Sequence, residues 1–198
     1  SHLVKTLKDW CDQIGNILNE DSEKTRKDET DVGPRSELDY WRHRSQTFST
    51  IIDQLKVREC KVALGVLREA EHNNPDAHEV LRKWKGLDNA ITDAANEAKD
   101  NVKYLNTLDK YTQPLYDGTP MTIIDSLPGL LNNIKMMQQI ARYYNTPERM
   151  ETLLIKVANQ MIANCRNYVS ENGKLWEQDA EKLIGRMESC LRLYEAFQ

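Results

Sequence analysis

One stretch of 37 residues, 75–111 (PDAHEVLRKWKGLDNAITDAANEAKDNVKYLNTLDKY), sets the terms for the whole chain. Val80, Trp84, Leu87, Ile91, Ala94, Ala98, Val102, Leu105 and Leu108 recur every three or four residues, so they share one stripe of a helical surface. After Pro75 no proline interrupts it. Asn74 can accept a free first-turn N–H, and proline at the first helical position loses nothing, so Asn74-Pro75 is a start signal. At a rise of about 1.5 Å per residue such a helix spans roughly 55 Å, wider than an ordinary small domain. The spacing therefore predicts an elongated molecule. Gly86 is the weak point of the helix, costing about 1 kcal/mol relative to alanine.

The balance of 39% apolar and 29% charged residues suits narrow bundles with much surface per residue. Eight glycines and six prolines are few, and long stretches lack β-branched alternation, so the expected class is all-α. A net charge of −4 argues against nonspecific nucleic-acid binding. No run of about 18 apolar residues offers a membrane span, and no signal peptide is recognisable. Both ends lie in or beside helical patterns without an initiator methionine, which leads us to expect a piece of a larger polypeptide. Cys11, Cys60, Cys165 and Cys190 have no CxxC or CxxH neighbours and read as reduced core cysteines. His72 and His78 flank the Pro75 turn, at a spacing that puts no ligand pair on one helical face.

Taken in order, residues 3–18 form an amphipathic helix with Leu3, Leu7, Trp10, Ile14, Ile17 and Leu18 on its stripe. Residues 20–31 are charged and free of apolar side chains, and read as a solvated loop. Ser36 can cap a second helix whose seam is Leu38, Trp41, Ser45, Phe48, Ile52 and Leu55. A third, short helix follows with Val62, Ala63, Val66, Leu67 and Ala70, offset near Lys56 to Glu59. Two prolines and a glycine within 113–120 predict a break. The expected organisation is a first helical bundle over 1–112 with a charged loop at 20–34, a Pro/Gly-rich junction at 113–127, and a second three-helix bundle over 128–198. In that second bundle Ser126 and Pro128 start one helix and Thr146-Pro147-Glu148 the next, which Asn172-Gly173 closes. Trp176, Ala180, Leu183, Met187, Cys190, Tyr194 and Phe197 line the last. The predicted architecture is an elongated stack of two antiparallel bundles joined by the long central helix.

Signatures of catalysis are missing. Gly173-Lys174 lacks the rest of a phosphate-binding loop, and HExxH, GxSxG and GxGxxG do not occur. Neither a catalytic residue, nor a cofactor, nor a metal is expected. Two clusters suggest contacts instead. Tyr40 to Arg44 sets two aromatics beside Arg42, His43 and Arg44. Such a cluster can bind phosphate or single-stranded nucleic acid, but it is short and flanked by acids, and fits better with Trp41 in the core and solvated or stacked arginines. Replacing both Arg42 and Arg44 with alanine is then expected to leave folding nearly intact. Tyr143 and Tyr144, next to each other, cannot both face one core, so one of them is expected at the surface or against a neighbour. Tyr40, Arg42, Arg44, Arg142, Tyr143 and Tyr144 are the candidate partner contacts, since exposed aromatics and arginines are enriched at interface centres.

Several strings carry more than periodicity. Gly33-Pro34, then Glu37-Leu38-Asp39-Tyr40-Trp41 with Arg44, then Asn101-Val102-Lys103-Tyr104-Leu105 with Thr107-Leu108, resemble the N-terminal tail region of dynein heavy chains. Residues 57–64 and 142–150 resemble the axonemal members, particularly the outer-arm type. The likeness covers about Trp10 to Phe197 and is weakest over 20–31. It implies a non-catalytic segment of a very large motor chain, with the ATP-hydrolysing ring and microtubule-binding stalk far downstream. It further implies partners among other dynein heavy chains, intermediate chains, light chains and docking proteins on the doublet microtubule, in the axoneme of a cilium or flagellum, within the cytoplasmic cytoskeleton. Neither nucleic acid nor membrane is an expected partner. Two other classes compete: a spectrin-like or solenoid adaptor outside this family, and an enzyme, which nucleotide binding by the isolated chain would revive.

Overall fold

A computed structural model of the chain describes residues 2–20, 32–170 and 173–198. Among these residues there are seven α-helices and no strands: α1 (His2–Leu18), α2 (Arg35–Leu55), α3 (Arg58–Ala70), α4 (Pro75–Asp117), α5 (Pro120–Ile140), α6 (Pro147–Ser170) and α7 (Ala180–Phe197). The all-α class expected from the sequence is the class observed. Most of the expected charged loop, and the Asn172 half of the expected helix cap, fall outside the described residues.

The long helix starts where the sequence says it should. The Asn74 side chain accepts from the N–H groups of Asp76 and Ala77 at 3.1 and 3.4 Å, satisfying two donors that the first turn leaves free. It continues unbroken through Gly86 and ends six residues later than Tyr111, at Asp117, with Pro114 inside it. Proline removes one N–H and crowds one carbonyl. Here the cost is confined to the last turn, which Gly118 N–H closes onto the Pro114 carbonyl at 2.9 Å. A capping box, Thr119 with Thr122, then starts α5 with Pro120 at its first position. The break expected across 113–127 is thus only Gly118 and Thr119, and Pro128 lies inside α5 instead of starting a helix. Buried Leu127 and Leu130 on either side of Pro128 supply the packing that holds the helix through it.

The chain divides into two compact units. Among the described residues, one is made of 2–20 and 40–100, the other of 32–39 and 101–198, so the division crosses α4 between Asp100 and Asn101, upstream of residues 113–127. In the first unit α1, α3 and the start of α4 share a core of Val4, Leu7, Cys11, Leu64, Leu67 and Trp84, among others. The buried line of α1 runs through Cys11, leaving Trp10 41% exposed, and that of α3 through Cys60, Leu64 and Leu67, leaving Val62 and Val66 at the surface. Trp41 is buried, as its spacing predicts. In the second unit α5, α6 and α7 contact one another pairwise around Ile123, Leu130, Leu153, Val157 and Leu193. Trp176 does not join α7; it sits in a short 3-10 turn (Leu175–Glu177) and is 81% exposed. All four cysteines are free thiols. Burial and a neighbouring Cys190 thiol push Cys165 up to about 12, and burial raises Cys11 and Cys60.

Candidate functional site

Of the six residues singled out in the sequence, Tyr40, Arg42 and Arg44 lie in the first unit and Arg142, Tyr143 and Tyr144 in the second. Tyr40 and Trp41 meet edge to face, with ring centroids 5.1 Å apart. Arg42 is exposed, whereas Arg44 is drawn inward. Its guanidinium donates to the Ile17 carbonyl at 2.9 Å, lies 4.4 Å over the Phe48 ring and approaches Glu20 at 3.7 Å. Ile17 is in the last turn of α1, whose carbonyls have no partner within the helix, so Arg44 serves as a C-terminal cap brought in from α2. Arg44 is thus stacked and half-buried instead of standing free at the surface as Arg42 does.

The expectation for the tyrosine pair is corrected. Tyr143 is 7% exposed and Tyr144 fully buried. They lie in a 3-10 turn (Tyr143–Asn145) between α5 and α6, off the regular helix, and their rings pack edge to face with centroids 4.9 Å apart. Arg149 lies 4.2 Å over the Tyr143 ring and donates to the Tyr143 carbonyl at 3.2 Å. Arg142 alone of this group is exposed.

Tyr144 leads to an arrangement that the sequence reading missed. Its hydroxyl donates to Oε2 of Glu37, and Lys156 Nζ lies 3.0 Å from Oε1 of the same carboxylate. Both charged side chains are buried, at 0% and 2% exposure. Lys156 also donates to Ser36 Oγ at 2.9 Å, and that hydroxyl donates to the Gly33 carbonyl at 2.8 Å. An ion pair taken out of water survives only when further hydrogen bonds replace the lost solvation; here Tyr144 serves Oε2 and Ser36 the lysine, while Oε1 has only its ion pair with Lys156. Next to it, Arg35 Nε binds Asp109 at 2.9 Å, its backbone N–H donates to the Tyr116 hydroxyl at 3.1 Å, and its guanidinium lies 4.0 Å over the Tyr116 ring. A Cβ on Gly33 would come within 2.6 Å of both the Tyr116 hydroxyl and Gln160 Oε1, so a larger residue there requires those side-chain ends to shift. Segment 33–37 is thereby fastened to α4 and α6. Two stretches that carry the family resemblance, Gly33 to Trp41 and Arg142 to Met150, meet in this network. Lys156, one turn on from Leu153 and next to Val157 on the buried side of its helix, was the signal that an acidic partner was needed.

The second unit also closes its helix ends with side chains. Asn164 donates to the Gly118 carbonyl at 2.8 Å and Gln160 to the Leu115 carbonyl at 3.3 Å, serving the end of α4. Arg186 donates to the Tyr168 carbonyl and Gln178 to the carbonyls of Val169 and Ser170, serving the end of α6.

Beyond this closed interior lies an open trough. Met161, Cys165, Val169, Cys190, Leu193 and Phe197 line a groove of about 710 Å³ between α6 and α7. Ile155 and Ile162 on α6, and Ile184, Met187, Leu191 and Tyr194 on α7, are all at least half exposed around or beyond it. Of the residues lining the trough, Arg166 is the only charged one. Among the described residues no group of three or more metal-ligating side chains converges. No helix among them is long and apolar enough to cross a membrane.

Comparison with known proteins accounts for the whole chain. Residues 1–198 match the profile of the family described as dynein heavy chain, N-terminal region 1. The dynein gamma chain of the flagellar outer arm of Chlamydomonas reinhardtii is 42% identical over 196 residues, 99% of this chain and 4% of that protein. Dynein axonemal heavy chain 5 of Mus musculus is 42% identical over 194 residues, 97% of this chain and 4% of its own length. Dynein axonemal heavy chain 8 of Homo sapiens is 39% identical over 198 residues, 99% of this chain and again 4% of the relative. The chain thus spans about one twenty-fifth of the curated relatives it matches. With a match from end to end and identities near 40% to several axonemal heavy chains, this chain belongs to the N-terminal region 1 family of dynein heavy chains.

Proposed function

We propose that this chain is a non-catalytic tail segment of an axonemal dynein heavy chain of the outer-arm type. In this reading it joins its heavy chain to another, carries intermediate and light chains, and helps anchor the motor to the doublet microtubule of a cilium or flagellum. ATP hydrolysis would belong to parts of the heavy chain outside these residues, and the segment itself needs no cofactor. The observation that carries the proposal is the apolar trough between α6 and α7 with its exposed rim. A contiguous apolar patch of this kind on a folded unit marks a surface that another protein element covers. Helical faces with apolar residues three and four apart accept another helix along their length. The buried Glu37–Lys156 pair supports the reading too, because it holds segment 33–37 in one place against α6.

The test is association with purified outer-arm subunits, each added separately: intermediate chains, light chains and a second heavy-chain tail. The expected result is a complex with at least one of them by size-exclusion chromatography, lost on Ile184→Glu/Met187→Glu with helix content unchanged. Nucleotide hydrolysis by the isolated chain, or a failure to associate with every one of these subunits, would refute the assignment.

A further inference from the structure

The first unit carries a second groove, of about 1000 Å³, whose character is opposite to that of the apolar trough. It is built by the end of α2, by α3 and by the first half of α4. Its floor is apolar: Leu55, Leu64, Leu81 and Trp84. Its rim carries five cations, Lys56, Arg68, Arg82, Lys85 and Lys99, against two anions, Glu71 and Asp88. Glu71 is already engaged by His78 at 2.7 Å. None of the five cations has an ion pair among the described residues. The chain as a whole is acidic, at −4, so this groove reverses the sign of the molecule around it.

We infer that this groove docks an acidic amphipathic helix of a partner protein, laying the partner's apolar stripe on the floor and its carboxylates against the rim. Arg82 and Lys99 are 17 positions apart on one helix, so the α4 wall of the groove, with cations at both ends, runs for roughly 25 Å, the length of about 17 helical residues. A helix with apolar residues every third and fourth position fits an apolar floor of this form. Opposite charges along both flanks set its register and speed its encounter. Single-stranded nucleic acid is the poorer fit, because it needs exposed ring faces for stacking and Trp84 is only 9% exposed. The inference goes beyond the assembly role of the trough and uses none of its residues.

Fluorescence anisotropy of a labelled synthetic helix tests it on the whole 198-residue chain. The probe is a peptide of about 17 residues, long enough for the α4 wall of the groove, with leucines on one face and glutamates elsewhere. Saturable binding is expected, weakened about tenfold or more by Lys85→Glu/Lys99→Glu and progressively by added salt. Both lysines are exposed, and an unchanged circular dichroism spectrum verifies that the variant is folded. Ile184→Glu/Met187→Glu in the trough is expected to leave this binding untouched, so the groove and the assembly reading can fail separately. Equal binding of a glutamate-only peptide without leucines would overturn the proposal in favour of bare charge attraction. Equal binding of the same peptide with lysines for glutamates would overturn it as well, as would binding to phosphatidylserine vesicles in the absence of any peptide binding.

Discussion

The two units each contain a lysine and a carboxylate brought together from distant helices, and they use the pair in opposite ways. Glu37–Lys156 in the second unit is shut away from water and hydrogen-bonded to Tyr144 and Ser36. Asp12–Lys83 in the first unit joins α1 to α4 in the open, with side chains 53% and 43% exposed. The chemistry is the same, but the surroundings decide what it is worth. An exposed pair is screened by water and salt and contributes little, whereas breaking a buried one strands an unsolvated charge. The first unit relies on its apolar core for cohesion; the second additionally depends on a polar lock.

The largest expected effect comes from breaking the lock on one side only. Lys156→Met leaves the Glu37 carboxylate buried beside a methyl group, and should cost about 3–5 kcal/mol in urea unfolding. A loss below about 1 kcal/mol, as for a surface pair, would erase the contrast between the units. Trp41→Ala probes the apolar side of the comparison. It opens a cavity at a buried position in the first unit and should cost about 3–5 kcal/mol. An unchanged melting curve would mean that the core does not hold that unit. Arg44→Ala removes a charged hydrogen bond to the end of α1 together with its stacking on Phe48, for a loss of about 2 kcal/mol. Arg42→Ala, at an exposed position, is the control and should change the midpoint little.

The smallest effect belongs to the open pair. Lys83→Met should leave the urea midpoint at neutral pH within experimental error. The hydrogen bond from Lys83 holds the Asp12 carboxyl below its usual value and raises Lys83 above its own. Any stability from Asp12 is therefore present above the ordinary carboxylate range and disappears as the pH falls through the lowered value. That from Lys83 is present below the ordinary lysine value and disappears as the pH rises through the raised one. Between those ends the midpoint of the wild-type chain and that of Lys83→Met should run parallel. A steep divergence near neutrality would show that the pair is not an open one.

The sequence spoke clearly about helices and less clearly about faces. Periodicity placed every helix, because stripes of three and four residues survive whatever the tertiary context. It misjudged α3, where Val62 and Val66 form a second apolar line beside the buried Cys60, Leu64 and Leu67; spacing alone does not say which line meets the core. Prolines misled in the opposite direction. Pro114 and Pro128 looked like boundaries, yet both lie inside helices whose flanking apolar residues are buried. The candidate contacts were the least legible. Neighbouring side chains on a regular helix point to different faces, and the 3-10 turn that lets both Tyr143 and Tyr144 go inward has no strong signature. Trp176 and the exposed line of Ile184, Met187 and Leu191 were visible as apolar residues, but their exposure is a property of the packed bundle and not of the string. The family resemblance, by contrast, lay openly in contiguous strings and agrees with the profile and the relatives that match the chain.

Hydrogen exchange on the chain, alone and then mixed with purified outer-arm subunits, bears most directly on whether this is an assembly segment working through its α6–α7 face. The account predicts new protection concentrated in α6 from Ile155 to Ile162 and in α7 from Ile184 to Tyr194. Complex formation that leaves those two stretches exchanging as fast as in the free chain would contradict it.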